Sequence, residues 1–183
     1  MTTLYEHYEE FDNAVAIYGD NWWGQSFTPS ITHIITSISI LCYRIVGPGT
    51  VGDLTAGIYL VDENGYPTGN ALCSGTINGD LITTDTDGEW AEITLDLPYV
   101  LEAGTQYAIV VHADDAEILH YIKWKNEIVG SYAGGVFSQS ADGGVNWIIY
   151  ASDGSDGAFR EYGDTIPTIL PAIELSLQGL WGW

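Results

Sequence analysis

Residues 140–147, Ser-Ala-Asp-Gly-Gly-Val-Asn-Trp, constrain the fold more than any other stretch of this chain. The spacing Ser-x-Asp-x-Gly-x-x-Trp suits the tip of a β-hairpin. A carboxylate at 142 can accept bonds from the backbone of its own turn, and Gly143 and Gly144 allow the positive φ that a tight turn demands. Trp147 is then placed to fold back over that turn. Ser140, Asp142, Gly144 and Trp147 therefore read as structural residues. They predict β architecture and very little chemistry.

The remaining pattern agrees. Gln25-Ser-Phe-Thr-Pro29 opens the regular part, and residues 34–46 read as one strand with Ile34, Ile38, Ile40 and Cys42 on a single face. Residues 55–61 and 71–77 flank Asp62-Glu-Asn-Gly-Tyr-Pro67, whose Asn64-Gly65 is a hairpin signal. Residues 89–97 alternate, with Ala91, Ile93, Leu95 and Leu97 inward and Trp90, Glu92, Thr94 and Asp96 outward. Residues 106–113 are apolar on both faces, as in a central strand. Segments 119–125, 136–138, 147–150 and 158–162 bring the expectation to roughly ten short strands, and no convincing helical periodicity appears. The predicted fold is all-β: a single jelly-roll-like β-sandwich over residues 1–163, with a C-terminal arm over 164–183.

Charge and length restrict the function classes. A chain of 183 residues suits one domain, and its hydrophobic content of 46% argues against disorder. Twenty-five acidic residues against four basic ones give a net charge of −21. That field repels nucleic acid and anionic headgroups, so neither nucleic acid nor membrane is an expected partner. No apolar run approaches the roughly 18 residues of a spanning helix. The N-terminal residues lack a basic segment followed by an apolar one, so a secretory signal is not expected. Few tryptic sites suit an extracellular or virion setting. Cys42 and Cys73 leave two readings open, a buried thiol at Cys42 or a disulfide between the two.

The octet is the Asp-box motif, whose best-known hosts are sialidases. This chain resembles them only there, and its two arginines, Arg44 and Arg160, cannot supply the three that a sialidase uses. A wider resemblance spans residues 23–163. It is carried in order by Trp23-Gly-Gln-Ser-Phe-Thr-Pro29, Asp62-Glu-Asn-Gly-Tyr-Pro-Thr-Gly69, Leu72-Cys-Ser-Gly75, Leu101-Glu-Ala-Gly-Thr-Gln-Tyr107, Tyr132-Ala-Gly-Gly135, the Asp-box and Ala158-Phe-Arg-Glu-Tyr-Gly163. This order resembles the choice-of-anchor type β-sandwich domains of microbial surface, metagenomic and phage proteins, which are similar in outline to carbohydrate-binding modules. The resemblance implies a sandwich fold and an extracellular or virion habitat. It implies no catalytic residues.

Three candidate sites follow. Trp90 with Glu92, and Trp22 with Trp23, are the aromatic platforms on which an apolar sugar face could stack, whereas Trp124 opposes Lys123 and Lys125 in the alternation and belongs in the core. Asp153 with Asp156, and Asp114 with Asp115 and Glu117, are the loop carboxylates that could hold a structural calcium. Ile173, Leu175, Leu177, Trp181 and Trp183 give the arm a strand-like alternation and two large anchors for assembly.

No nucleophile–base set, phosphate loop or zinc spacing is present, so the chain is not expected to be an enzyme. The leading expectation is a structural subunit on the exterior of a virion or filament, bound to copies of itself or to another surface protein. The alternative is a carbohydrate-binding module.

Overall fold

The computed structural model describes residues 2–150 and 154–167. Thirteen strands are found among them: β1 (Thr3–Tyr8), β2 (Asn13–Ile17), β3 (Trp22–Phe27), β4 (His33–Ile45), β5 (Asp53–Val61), β6 (Pro67–Asn78), β7 (Glu89–Leu101), β8 (Tyr107–His112), β9 (Tyr121–Glu127), β10 (Phe137–Ser140), β11 (Ile148–Ile149), β12 (Asp156–Gly157) and β13 (Phe159–Asp164). They form two antiparallel sheets. The first runs β1-β13-β4-β9-β12, with β2 also on β9 and β7 also on β4; the second runs β11-β10-β3-β8-β5-β6. The chain changes sheet at eight of the twelve connections between these strands, as in a jelly-roll-like sandwich.

The core lies between the sheets. Ile38, Ile40, Cys42, Trp124 and Phe159 of the first sheet face Phe27, Ile58, Ile109, Val111 and Phe137 of the second, and all are essentially removed from water. Each large side chain contributes roughly 1.5–3 kcal/mol through that burial. Along one side β6 and β7 meet backbone to backbone. A Cβ at Gly75 would stand only 1.9 Å from the Thr94 carbonyl oxygen, so no side chain fits there.

Two bulges correct the alternation read from sequence. Against β13, Ser37 pairs with Tyr162 and Ile35 with Gly163, so Thr36 is an extra residue. It reverses the facing of β4: Ile38, Ile40 and Cys42 point inward beyond it, but Ile35 does so before it, and Ile34 is only half-buried. Opposite Thr36, β7 carries the loop of chain between Thr94 and Tyr99. Leu97 sits in that excursion beside Pro98 and is 73% exposed, not inward. The strands β1 and β2 also precede the predicted start of regular structure, pairing with β13 and β9.

The disulfide reading is overturned. Cys42 and Cys73 are both free and buried, on opposite sheets. Burial pushes both thiols up, Cys73 to about 11, which leaves them unreactive as nucleophiles at neutral pH.

Candidate functional site

The Asp-box forms as its residue types dictate. Gly143 and Gly144 adopt φ of 67° and 83°. Asp142 Oδ1 accepts the Asn146 amide at 2.8 Å, its Oδ2 accepts Asn146 Nδ2 at 2.6 Å, and Ser140 Oγ donates to Oδ1 at 2.8 Å. The Asn146 side chain first, then the Asn146 amide and Ser140, hold the Asp142 carboxyl below its ordinary range. Trp147 Nε1 donates to the Gly144 carbonyl at 3.0 Å, which pins the indole over the turn.

This pinned tip forms one wall of a cleft of about 200 Å³, lined by Trp22, Tyr59, Pro67, Thr68, Gly69, Asn70, Ala71, Gly143, Gly144 and Trp147. The opposite wall is an irregularity in β6. Leu60 pairs with Thr68 but Ile58 with Cys73, so residues 69–72 bow out opposite Tyr59. Glycine lets the aromatic parts close together. A Cβ at Gly24 would lie 3.3 Å from Trp147, and one at Gly144 would lie 2.9 Å from the Trp22 ring. Trp22 stacks at 4.0 Å on His112, whose Nδ1 is 2.7 Å from Asp114 Oδ1. Among the described residues, Trp22 Nε1 is buried without a hydrogen-bond partner.

The other sequence candidates are dispersed. Trp23 is a core residue, 3% exposed, donating through Nε1 to the Ala16 carbonyl, so it is not a platform. Trp90 and Glu92 face outward from β7 on the other sheet; Arg160 already stacks on Trp90 at 3.9 Å, and Glu92 accepts from Ser37 Oγ at 2.7 Å. Trp124 is fully buried, as the alternation predicts.

Asp156 points inward, 3% exposed, accepting from the Tyr132 amide at 2.9 Å and Gln25 Nε2 at 3.3 Å. Asp153 and the arm residues Ile173, Leu175, Leu177, Trp181 and Trp183 lie outside the described residues. Asp114 and Asp115 are exposed, and among the described residues no group of three His, Cys, Asp or Glu side chains converges on a point suited to a metal.

Tyr59, Thr68, Asn70 and the second role of Trp147 were not read from sequence. Only the tryptophan of the Asp-box offered a signal, and it read as structural. Compared with known proteins, the chain matches no family model and no curated protein sequence.

Proposed function

We propose that the protein is a non-enzymatic module on the exterior of a virion, filament or cell that binds neutral carbohydrate in the cleft between Trp22 and Trp147. One observation carries this reading: three separate segments bring Trp22, Tyr59 and Trp147 to one concave site, rimmed by the hydroxyl of Thr68 and the amide of Asn70. Indole faces suit the apolar face of a pyranose, while Thr, Asn and Tyr groups suit its hydroxyls. The neutral class follows from charge. All four lysines and arginines are on the first sheet, at Arg44, Lys123, Lys125 and Arg160, so no lysine or arginine lines the cleft to hold a uronate or sialate.

Isothermal titration of the intact protein against neutral glucans, xylans and mannans, with uronic polymers as comparison, tests the reading. A neutral polymer should bind, and Asn70→Ala should weaken it about tenfold, or 1.4 kcal/mol, without changing the circular dichroism. Asn70 is exposed and its side chain bonds to none of the described residues, so its loss reports on the ligand. Binding of uronic polymers alone, or indifference to Asn70→Ala, overturns the assignment.

A further inference from the structure

The cations of this chain are placed as unusually as they are few. On β9, Ile122, Trp124 and Asn126 point into the core with no exposure, which turns Lys123 and Lys125 outward. Lys125 Nζ sits 5.1 Å from the Phe11 ring and 5.2 Å from the Tyr43 ring. Lys123 Nζ sits 5.8 Å from Tyr121 and donates to the Ala14 carbonyl at 3.1 Å. Arg160 covers Trp90 and holds Glu9 through two bonds, of 2.8 and 3.1 Å. The outer face of the first sheet therefore carries a band of Lys123, Lys125 and Arg160 on aromatic rings, with the outward Glu92 and the Glu9 that Arg160 holds as the neighbouring carboxylates.

With 25 carboxylates on the chain, even a half-buried lysine has many possible partners. Among the described residues, Lys123 and Lys125 nevertheless have none. Both are half-buried, and Lys123 is tied to the Ala14 carbonyl with burial lowering its pKa. Lys125 is held by the Phe11 and Tyr43 rings alone, a contact of about 0.5–1 kcal/mol that leaves its charge for an outside partner. The aromatic rings and Arg160 are residue types enriched at interface centres, and the two lysines supply the charge that selects the partner.

We propose that this face is an assembly surface that docks on the acidic surface of a second copy of the same chain. The partner follows from charge complementarity: the surface outside this band belongs to a chain with a 21-charge excess of acid. The contact is heterologous. A two-fold contact of the band with itself would oppose lysine to lysine, whereas band against acid leaves each copy with one unused surface of each kind and builds a chain or ring. The inference is independent of the carbohydrate cleft.

Sedimentation of the full chain over concentration and salt provides the test. Association should be strongest near physiological salt, where a Debye length of about 8 Å mutes the repulsion of like net charges but spares close pairs. It should weaken both at about 10 mM salt and at about 1 M. Lys125→Glu should weaken it roughly tenfold or more at an unchanged melting temperature, with Lys125→Gln intermediate. Because Lys125→Glu keeps its acidic surface, a small fraction mixed into the native protein should cap growing assemblies and lower their mean mass. Asn70→Ala should change none of this. A protein monomeric at every salt, a Lys125→Glu variant that assembles normally, or one that fails to cap, overturns the proposal. A monomer that binds a sulfated polysaccharide through Lys125 would likewise replace the second copy with a polyanion.

Discussion

His33 Nε2 and Glu161 Oε1 stand 2.5 Å apart with both side chains wholly removed from solvent. The pair joins β4 to β13 and anchors β1 above them: Tyr5 stacks on the imidazole at 3.7 Å, and Glu161 Oε2 accepts the Glu6 amide at 3.4 Å. His33 Nδ1 faces the Ile31 carbonyl at 2.7 Å, so both ring nitrogens have acceptors and the imidazolium is satisfied. Burial works against that cation, yet Glu161 and the Ile31 carbonyl outweigh it and hold the His33 pKa above its ordinary value. Burial also pushes Glu161 up, with His33 pulling it back.

The pair therefore binds protons more tightly in the folded chain than in the unfolded one. The stabilisation from His33 is complete below its unfolded pKa of about 6.5 and is lost as pH rises through the higher folded value. Thermal melts should show that loss as pH rises above about 6.5. Glu161→Gln should cost roughly 3–5 kcal/mol at pH 5.5, since it leaves a buried imidazole without its partner, and should flatten the slope. A variant as stable as the native protein at pH 5.5 would show the pair to be energetically idle.

Asp156 acts in the same direction for a simpler reason. Burial raises its carboxyl to about 6, against the pull of the Tyr132 amide and Gln25. A raised carboxylate gives stability that is present below the unfolded value near 3.8 and lost as pH rises through about 6. Asp156→Asn should thus gain up to about 3 kcal/mol at pH 7.5 and nothing at pH 4. Calcium should leave both melting curves in place, because this carboxylate is turned inward to Tyr132 and Gln25. A calcium-dependent rise that Asp156→Asn abolishes would return Asp156 to the role of ion ligand.

Cys42 and Cys73 occupy separate sheets as buried thiols, so reductant should leave the melting temperature unchanged. A maleimide should label neither thiol in the native state within minutes and both in denaturant. Rapid native labelling at Cys73, which is 7% exposed, would mean that the β6 edge opens readily.

What the sequence disclosed, and what it hid, follows from range. Asp142, Gly143 and Gly144 were legible because a turn is decided within a few residues, and the β8 run was legible because a strand covered on both faces must be apolar throughout. Ile34 and Leu97 were misread because alternation holds only until a bulge, and the bulge at Thr36 depends on pairing with Tyr162 and Gly163. β1 was missed because Tyr5 and Tyr8 alternate with Glu6 and His7 too weakly to signal a face. The cleft was hidden for the strongest reason: Trp22, Tyr59 and Trp147 are far apart in sequence and meet only after the sheet has formed.

Gly144 links the turn to the cleft, and the two contributions can be separated. Its φ of 83° is strained for any side chain, and a Cβ there would lie 2.9 Å from the Trp22 ring. Gly104, at φ 76°, is an internal comparison, since a Cβ there would meet nothing within 4 Å. Gly104→Ala should cost only the left-handed penalty of about 1–2 kcal/mol and leave ligand binding and near-ultraviolet circular dichroism intact. Gly144→Ala should cost that penalty and also displace Trp22 from its stack on His112. Its near-ultraviolet tryptophan signal should change, and its affinity for a neutral glycan should fall severalfold. If the two variants behave alike in both readouts, the Asp-box glycine serves the turn alone and Trp22 is not held in place by it.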